Sequence, residues 1–539
     1  MASRYSLQAE MPPTRKSLHR SRRILTDQAD TDGQAIPPSD GEKIQLHSLQ
    51  QQHQVAAKGA SVAADGSPVD LNDGPDPRGY KTLQGKARWG LTPDAFLDDD
   101  INDEGRRTRS NRVPYLEGLR GILGLQTLVW IFFRMFAPAI VTEFDVDGTQ
   151  PARFIAQSPQ WMNILRKVLS PVLFDGNLQM AMFIILSGRT VLHTFIERRK
   201  ALALSGPAFR RPFRLLLPVA ATLTIVSIVN VAGGFTNATR MADDLQNELA
   251  RPQPIWDSAL EFFNSLVVYF FSPVTYRDSR AATFIPPAGI LWFVTVVFQQ
   301  LYVLIILAWV LPYTLLKYKN LGLPLFIITT AWVGRWSWYT ITGLAIAEYS
   351  VAYLPLLPAA GIPLDRAGRR HVPTWLPALV FTLAGLLMKY LWTAALPGSY
   401  ANDYIVHANT NTGKLNYGFE GFHIAMPRWD DWLLATGLFV LVETTPALQR
   451  LLASKPVSYC GRWSFSIALL SGTVMQSLGS TLYVHLRDSQ GWQRNGAATL
   501  AALFFTMVPT CLVVAEAFSR IVDDAALWLA RFMFNFIRE

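Results

Sequence analysis

Apolar residues in this chain gather into long runs that begin only after residue 110. A helix crossing the hydrocarbon core of a bilayer needs about 20 mostly apolar residues. Runs of that kind lie at roughly 119–140, 173–195, 213–232, 289–312, 373–396, 431–450, 464–484 and 495–517. The stretch 321–357 is longer than one span and is interrupted by Gly334-Arg335-Trp-Ser-Trp338, so it reads as two short helices joined by a tight turn. The pattern predicts an all-α polytopic membrane bundle of about ten transmembrane helices over 111–539. Helices satisfy their own backbone groups where no water can, which is why such runs become helices. The closing stretch, 523–538, reads as an amphipathic helix lying at the interface. Residues 1–110 are rich in Gln, Asp, Ser, Arg and Pro and poor in aromatics. Too little apolar surface is present there to offset the entropy of ordering, which predicts a disordered tail.

Charge gives the bundle a direction. Arg106, Arg107, Arg109 and Arg112 precede the first span, and Arg198-Arg-Lys200 through Arg214 lie between the second and third. Lys317 and Lys319, Arg366, Arg369 and Arg370, Lys455 and Arg462, and Arg520 follow at alternate span ends. Basic residues favour cytoplasmic loops, so both termini are expected in the cytosol, provided 321–357 crosses twice. Asn237-Ala-Thr239 is a glycosylation sequon in a loop this arrangement puts outside. The net charge of +9 is scattered at span ends, which suits anionic lipid and argues against nucleic acid as a partner. Sixteen Trp and seventeen Tyr fit a protein anchored at many interfaces. Cys460 and Cys511 form no disulfide framework and no metal-ligand spacing.

Polar groups at membrane depth are costly and mark function by default. Glu117 and Arg120 are three apart on one helical face at the start of the first span. They are either an ion pair ending a helix or a mouth whose guanidinium holds a phosphate-bearing donor. Arg210, Arg211 and Arg214 surround Pro212, which is placed as a helix starter, and three guanidiniums at a helix start would form an anion site. Ser187-Gly188-Arg189 puts a small pair and a charge deep in the second span; Arg189 needs a partner such as Glu348 or Glu443. His193 lies near a span end, while His407 and His423 lie in the external loop 397–430.

Taken in order, Tyr115-Leu-Glu117-Gly118-Leu-Arg120-Gly121, Phe183-Ile-Ile-Leu186-Ser187-Gly188, Arg210-Arg211-Pro-Phe-Arg214-Leu-Leu-Leu-Pro218 and Gly289-Ile-Leu-Trp292 form a set. Gly343-Leu-Ala-Ile-Ala347-Glu348, Gly461-Arg462-Trp-Ser464-Phe465-Ser466 and Phe518-Ser-Arg520-Ile-Val-Asp523 continue it. Over about 112–530 the set resembles the acyltransferase 3 family of multispanning membrane proteins, in its fungal style. The resemblance implies a membrane-bound O-acyltransferase that moves an acyl group, usually acetyl from acetyl-CoA, to a hydroxyl of a lipid, sugar or secondary metabolite. It implies Arg120 and Glu117 as catalytic residues, and Arg210, Arg211 and Arg214 as holders of the CoA phosphates. Ser187, Arg189 and Trp292 would then face substrate. Membrane lipids and a small-molecule or lipid acceptor are the implied partners, with no metal.

The chain departs from that pattern at its proton-handling positions. The family's histidine is replaced by Ile131, its fourth-span glutamate by Val297 and its late histidine by Ser471. Isoleucine and valine cannot shuttle a proton, a contribution typically worth about 10²–10⁴-fold. Three outcomes follow: another base (His193, Glu348, or Arg134 with a water), a silent relative acting as transporter or scaffold, or an isomerase or cyclase on the same fold.

Overall fold

The computed structural model describes residues 113–538 apart from 142–157, 199–200, 248–249, 253–254, 272–289, 359–360, 364–369, 397–401, 409–412, 416–426 and 495. It also describes the antiparallel two-residue strands Asp100–Ile101 and Arg107–Thr108. Otherwise the tail expected over 1–110 lies outside the described residues, as do Arg112, Gly289 and His423.

The first part of the bundle is α1 (Pro114–Phe136), α2 (Gln160–Leu173), α3 (Gly176–Val191) and α4 (Ala201–Val231). Then come the short α5 (Thr236–Leu245) and α6 (Ala259–Phe271), followed by α7 (Trp292–Val310), α8 (Leu316–Trp332) and α9 (Ser337–Glu348). The last part holds α10 (Trp375–Tyr390), α11 (Trp429–Thr444), α12 (Pro446–Leu452), α13 (Lys455–Cys460) and α14 (Ser464–Val474). It closes with α15 (Ser480–Asp488), α16 (Ala497–Phe518) and α17 (Asp524–Arg538). A second two-residue hairpin pairs Ile362–Pro363 with His371–Val372.

Helix occupies every place where a span was expected. Among the described residues seven helical runs are long and apolar enough to cross a membrane, or eight if the bent pair α11–α12 is one span. The two further spans expected over 321–357 correspond to α8 and α9, which at 17 and 12 residues fall short of the length and apolarity of a span, so the described helices give fewer crossings than the ten expected. Gly334 sits at φ +68°, a conformation glycine adopts without steric cost, so the turn falls there.

Two further expectations change. The span expected at 431–450 is bent by 97° between α11 and α12. Pro446 disfavours helix at the preceding residue, and Thr445 is accordingly extended at φ −116°, ψ 99°. Pro212 does not start a helix, because α4 begins at Ala201 and carries Pro207, Pro212 and Pro218 in its interior. Polar neighbours and local backbone adjustment make such prolines tolerable in membrane helices. The closing segment is continuous with the span before it. It runs on from α16 through a wider-wound turn at Ser519–Asp523, giving one 41-residue helical run over Ala497–Ile537. At 1.5 Å per residue that is about 60 Å, twice the hydrocarbon thickness, so one end projects from it. α17 packs against the early part of α4, with Phe534 on Phe209 at 5.8 Å between ring centres.

Close helix crossings organise the core. α3 crosses α9 where Gly188 faces Gly343, and a Cβ on either would enter the other helix's backbone. α10 and α11 form the most extensive pair, meeting through Gly385 and Gly437 in the same way. Without a hydrophobic force between helices in lipid, such close approach through small residues supplies the packing.

Candidate functional site

α3 and α11 run in the same direction and carry buried charge at both ends. Asp175 precedes α3 by one residue and Arg189 closes it; Asp430 opens α11 and Glu443 closes it. Fourteen residues of helix separate the α3 pair, about 21 Å at 1.5 Å per residue. The bundle therefore has two polar layers, one toward each end of α3 and α11.

The first layer collects most of the side chains predicted from sequence. Arg120 is paired with Glu117 at 2.9 Å, both about a quarter exposed. Arg211 donates to Ser187 Oγ, and both Arg214 and Arg120 lie within electrostatic reach of Arg211. α1, α3 and α4 thus each deliver a polar group to one place. Asp523, which accepts from Ser466 Oγ at 2.6 Å, lies within electrostatic reach of Arg214. Arg210 points elsewhere: its Nε donates to Gly206 O at 3.2 Å and its guanidinium lies 5.5 Å from the Phe534 ring.

Beside this cluster, Arg189 is 2% exposed and donates through Nε to Glu443 Oε1 at 2.7 Å. Of its two proposed partners it has taken Glu443; Glu348 is 3.2 Å from Lys319 Nζ. Tyr115 donates its hydroxyl to Glu443 Oε2 at 2.7 Å, so one carboxylate joins α1 to α3. Arg189 Nη1 lies 3.2 Å from His193 Nδ1, and His193 Nε2 lies 3.2 Å from Glu197 Oε1. The three positions expected to lack proton-handling groups are apolar or self-satisfied. Ile131 is fully buried, Val297 packs against the core, and Ser471 donates to Ile467 O at 2.6 Å.

Trp292 does not join this layer. Its ring lies tilted against Trp336 at 5.1 Å between centres, Trp336 touches Tyr339, and Tyr339 donates to Arg428 O at 2.5 Å. It belongs to the second layer, which sequence reasoning missed. There Lys389 Nζ lies 2.5 Å from Asp175 Oδ2, 2.6 Å from Asp431 Oδ1 and 3.7 Å from Asp430 Oδ2. Arg428 pairs with Asp430 and stands 3.5 Å from Asp403 Oδ2. All six side chains are buried. Asp175 also caps α3, accepting from Asn177 N at 3.0 Å and Leu178 N at 3.4 Å. Around the charges stand Trp338, Trp429 and Trp432, with the His407 ring parallel to Trp429 at 6.1 Å. Burial, with Asp430 close by, pushes the Asp403 carboxyl up to about 7. Burial pushes His407 down, keeping its imidazole neutral. A signal for this layer was present: Lys389 interrupts the apolar run 373–396, and Asp430-Asp431 opens the next.

A shallow hollow of about 400 Å³ lies off the bundle, lined by Asn230, Phe235, Thr236, Thr239, Pro252 and Ile255. The sequon's Asn237 beside it donates to Thr481 Oγ1 at 3.2 Å.

Fold and layers together define a class: this is a multi-pass helical membrane protein with a charged layer at each end of its bundle. Comparison with protein-family models, characterised proteins and solved structures yields no match.

Proposed function

We propose that the protein is a membrane-bound O-acyltransferase whose guanidinium layer faces the cytosol, with both termini on that side. The observation that supports this is the gathering of Arg120 from α1 and Arg214 from α4 about Arg211, itself on α4, which reaches Ser187 on α3. Guanidiniums held against one another favour an anion between them, and the phosphates of acetyl-CoA fit that demand. Arg210, turned toward Phe534, would meet the donor only after α17 shifts.

The hydroxyl acceptor supplies the second half of the reaction. Its oxygen attacks the thioester carbon, the carbon–sulfur bond breaks, and the proton passes through His193 to the departing thiolate. His193 stands between Arg189 and Glu197, and in this scheme Arg189 keeps Nδ1 while the acceptor takes the place of the half-exposed Glu197 at Nε2. Such use of His193 replaces the histidine that Ile131 cannot supply. A transporter on the same scaffold is the second reading, favoured by the buried Lys389 centre on the other side of the bundle.

Thiol release from acetyl-CoA by microsomes, followed with lipid, sugar and secondary-metabolite acceptors, tests the assignment. Release is expected to fall at least tenfold in Arg211→Ala and about 10²-fold or more in His193→Ala. Donor binding that survives Arg120→Ala and Arg211→Ala together would remove the CoA site.

A further inference from the structure

We infer that the buried acidic centre of the second layer holds an exchangeable proton on Asp403, making the packing of residues 402–408 pH-dependent. This stands independently of any acyl transfer at the opposite layer.

The centre brings four carboxylates, Asp175, Asp403, Asp430 and Asp431, against two cations, Lys389 and Arg428. None of the six is more than 4% exposed. Fully ionised, the group would carry two uncompensated negative charges out of water, a state a proton relieves. The four acids are not equally compensated. Asp175 and Asp431 each touch Lys389 Nζ, and Asp175 accepts two backbone N–H groups as well. Asp430 is paired with Arg428 and accepts from Asp431 N at 2.7 Å. Asp403 is left with Arg428 Nε at 3.5 Å and Trp429 N at 3.1 Å, both on Oδ2. Its Oδ1 is buried without a hydrogen-bond partner among the described residues; Asp431 Oδ1 has no well-aligned one either, but it lies 2.6 Å from the Lys389 ammonium, a cation that Asp403 Oδ1 lacks.

Other groups facing Asp403 do not offset its charge. Tyr339 spends its hydroxyl on Arg428 O, and His407, on the same segment, is a neutral ring against Trp338 and Trp429. Lys389 is held by the other three acids. Burial raises the Asp403 carboxyl to about 7, consistent with a proton exchanging near neutrality. Loss of that proton to water leaves a carboxylate and takes the centre from one net negative charge to two. The new charge faces Asp430 across the shared Arg428, and the segment carrying it lies against Trp429.

The sign of the pH dependence follows from the direction of the shift. A carboxyl raised from 3.8 to about 7 on folding contributes stability that is complete below 3.8 and is lost as pH rises through 7. Full-length protein in lipid nanodiscs is therefore expected to show a carboxylic-acid carbonyl band in the infrared at mildly acidic pH. That band disappears with a midpoint near 7, and the thermal midpoint falls over the same interval. Asp403→Asn, which cannot ionise, should lack the band and keep its acidic-pH stability above that interval. Asp403→Glu, the second variant, should retain a band with a moved midpoint. Absence of a protonated-carboxyl band above the ordinary carboxylate range overturns the inference, and so does a band unchanged in Asp403→Asn. The wild-type titration by itself decides whether a proton is held if neither variant folds.

Discussion

Glu443 is shared by two partners from different helices, Arg189 Nε and the Tyr115 hydroxyl, both at 2.7 Å. Because Arg189 is almost fully buried, removing its counter-charge leaves a cation with no water to turn to. Glu443→Gln is expected to destabilise the protein by about 3–5 kcal/mol, read as a lower thermal midpoint in detergent. Tyr115→Phe removes one charge-assisted hydrogen bond and should cost about 1.5–3 kcal/mol. Pairing Glu443→Gln with Arg189→Met should recover much of the loss; no recovery would mean that the two do not act as a pair. The need of Arg189 for a carboxylate was legible in sequence, but the choice between Glu348 and Glu443 was not. Those residues are more than a hundred positions away, and Lys319 decides the matter by occupying Glu348.

Among the elements, the break at Gly334-Arg335 could be read from sequence because a positive φ and a charge punctuate an otherwise apolar run. The bend at Thr445–Pro446 rests on an equally local rule, yet the apolar count concealed it by continuing through the proline. Pro212 misled in the opposite direction: as a helix starter it suggested an N-terminus where α4 is already three turns long. The crossing of α3 and α9 depends on two glycines in different helices. Gly343→Ala would push a methyl into the α3 backbone near Ile185 and Arg189, an overpacking cost of about 1–3 kcal/mol. A thermal midpoint within error of wild type would show that these helices separate freely.

On the scale of the molecule, the two layers define opposite faces that labelling can assign. With Cys460 and Cys511 replaced by serine, Lys455→Cys and Lys414→Cys place single exposed thiols at the two ends. In sealed microsomes an impermeant maleimide is expected to reach Lys455→Cys directly and Lys414→Cys only after permeabilisation. The reverse pattern would put the guanidinium layer outside, away from cytosolic acetyl-CoA.

By itself the sequence determined that this chain is an all-α, multi-pass membrane protein and where its helices lie, because the cost of unpaired backbone in hydrocarbon is paid locally. It also marked Glu117, Arg120, Arg211, Arg214 and Ser187, which are charged or polar groups beside apolar runs. Tertiary structure decided which of these meet. Arg211 reaches Ser187, Arg210 turns to Phe534, and Trp292 falls in the other layer. It alone assembled Asp175, Lys389, Asp403, Arg428, Asp430 and Asp431, which come from α10, α11 and the segments that lead into α3 and α11. A buried charge is stable only through partners that packing brings from elsewhere in the chain, and no local pattern specifies those partners.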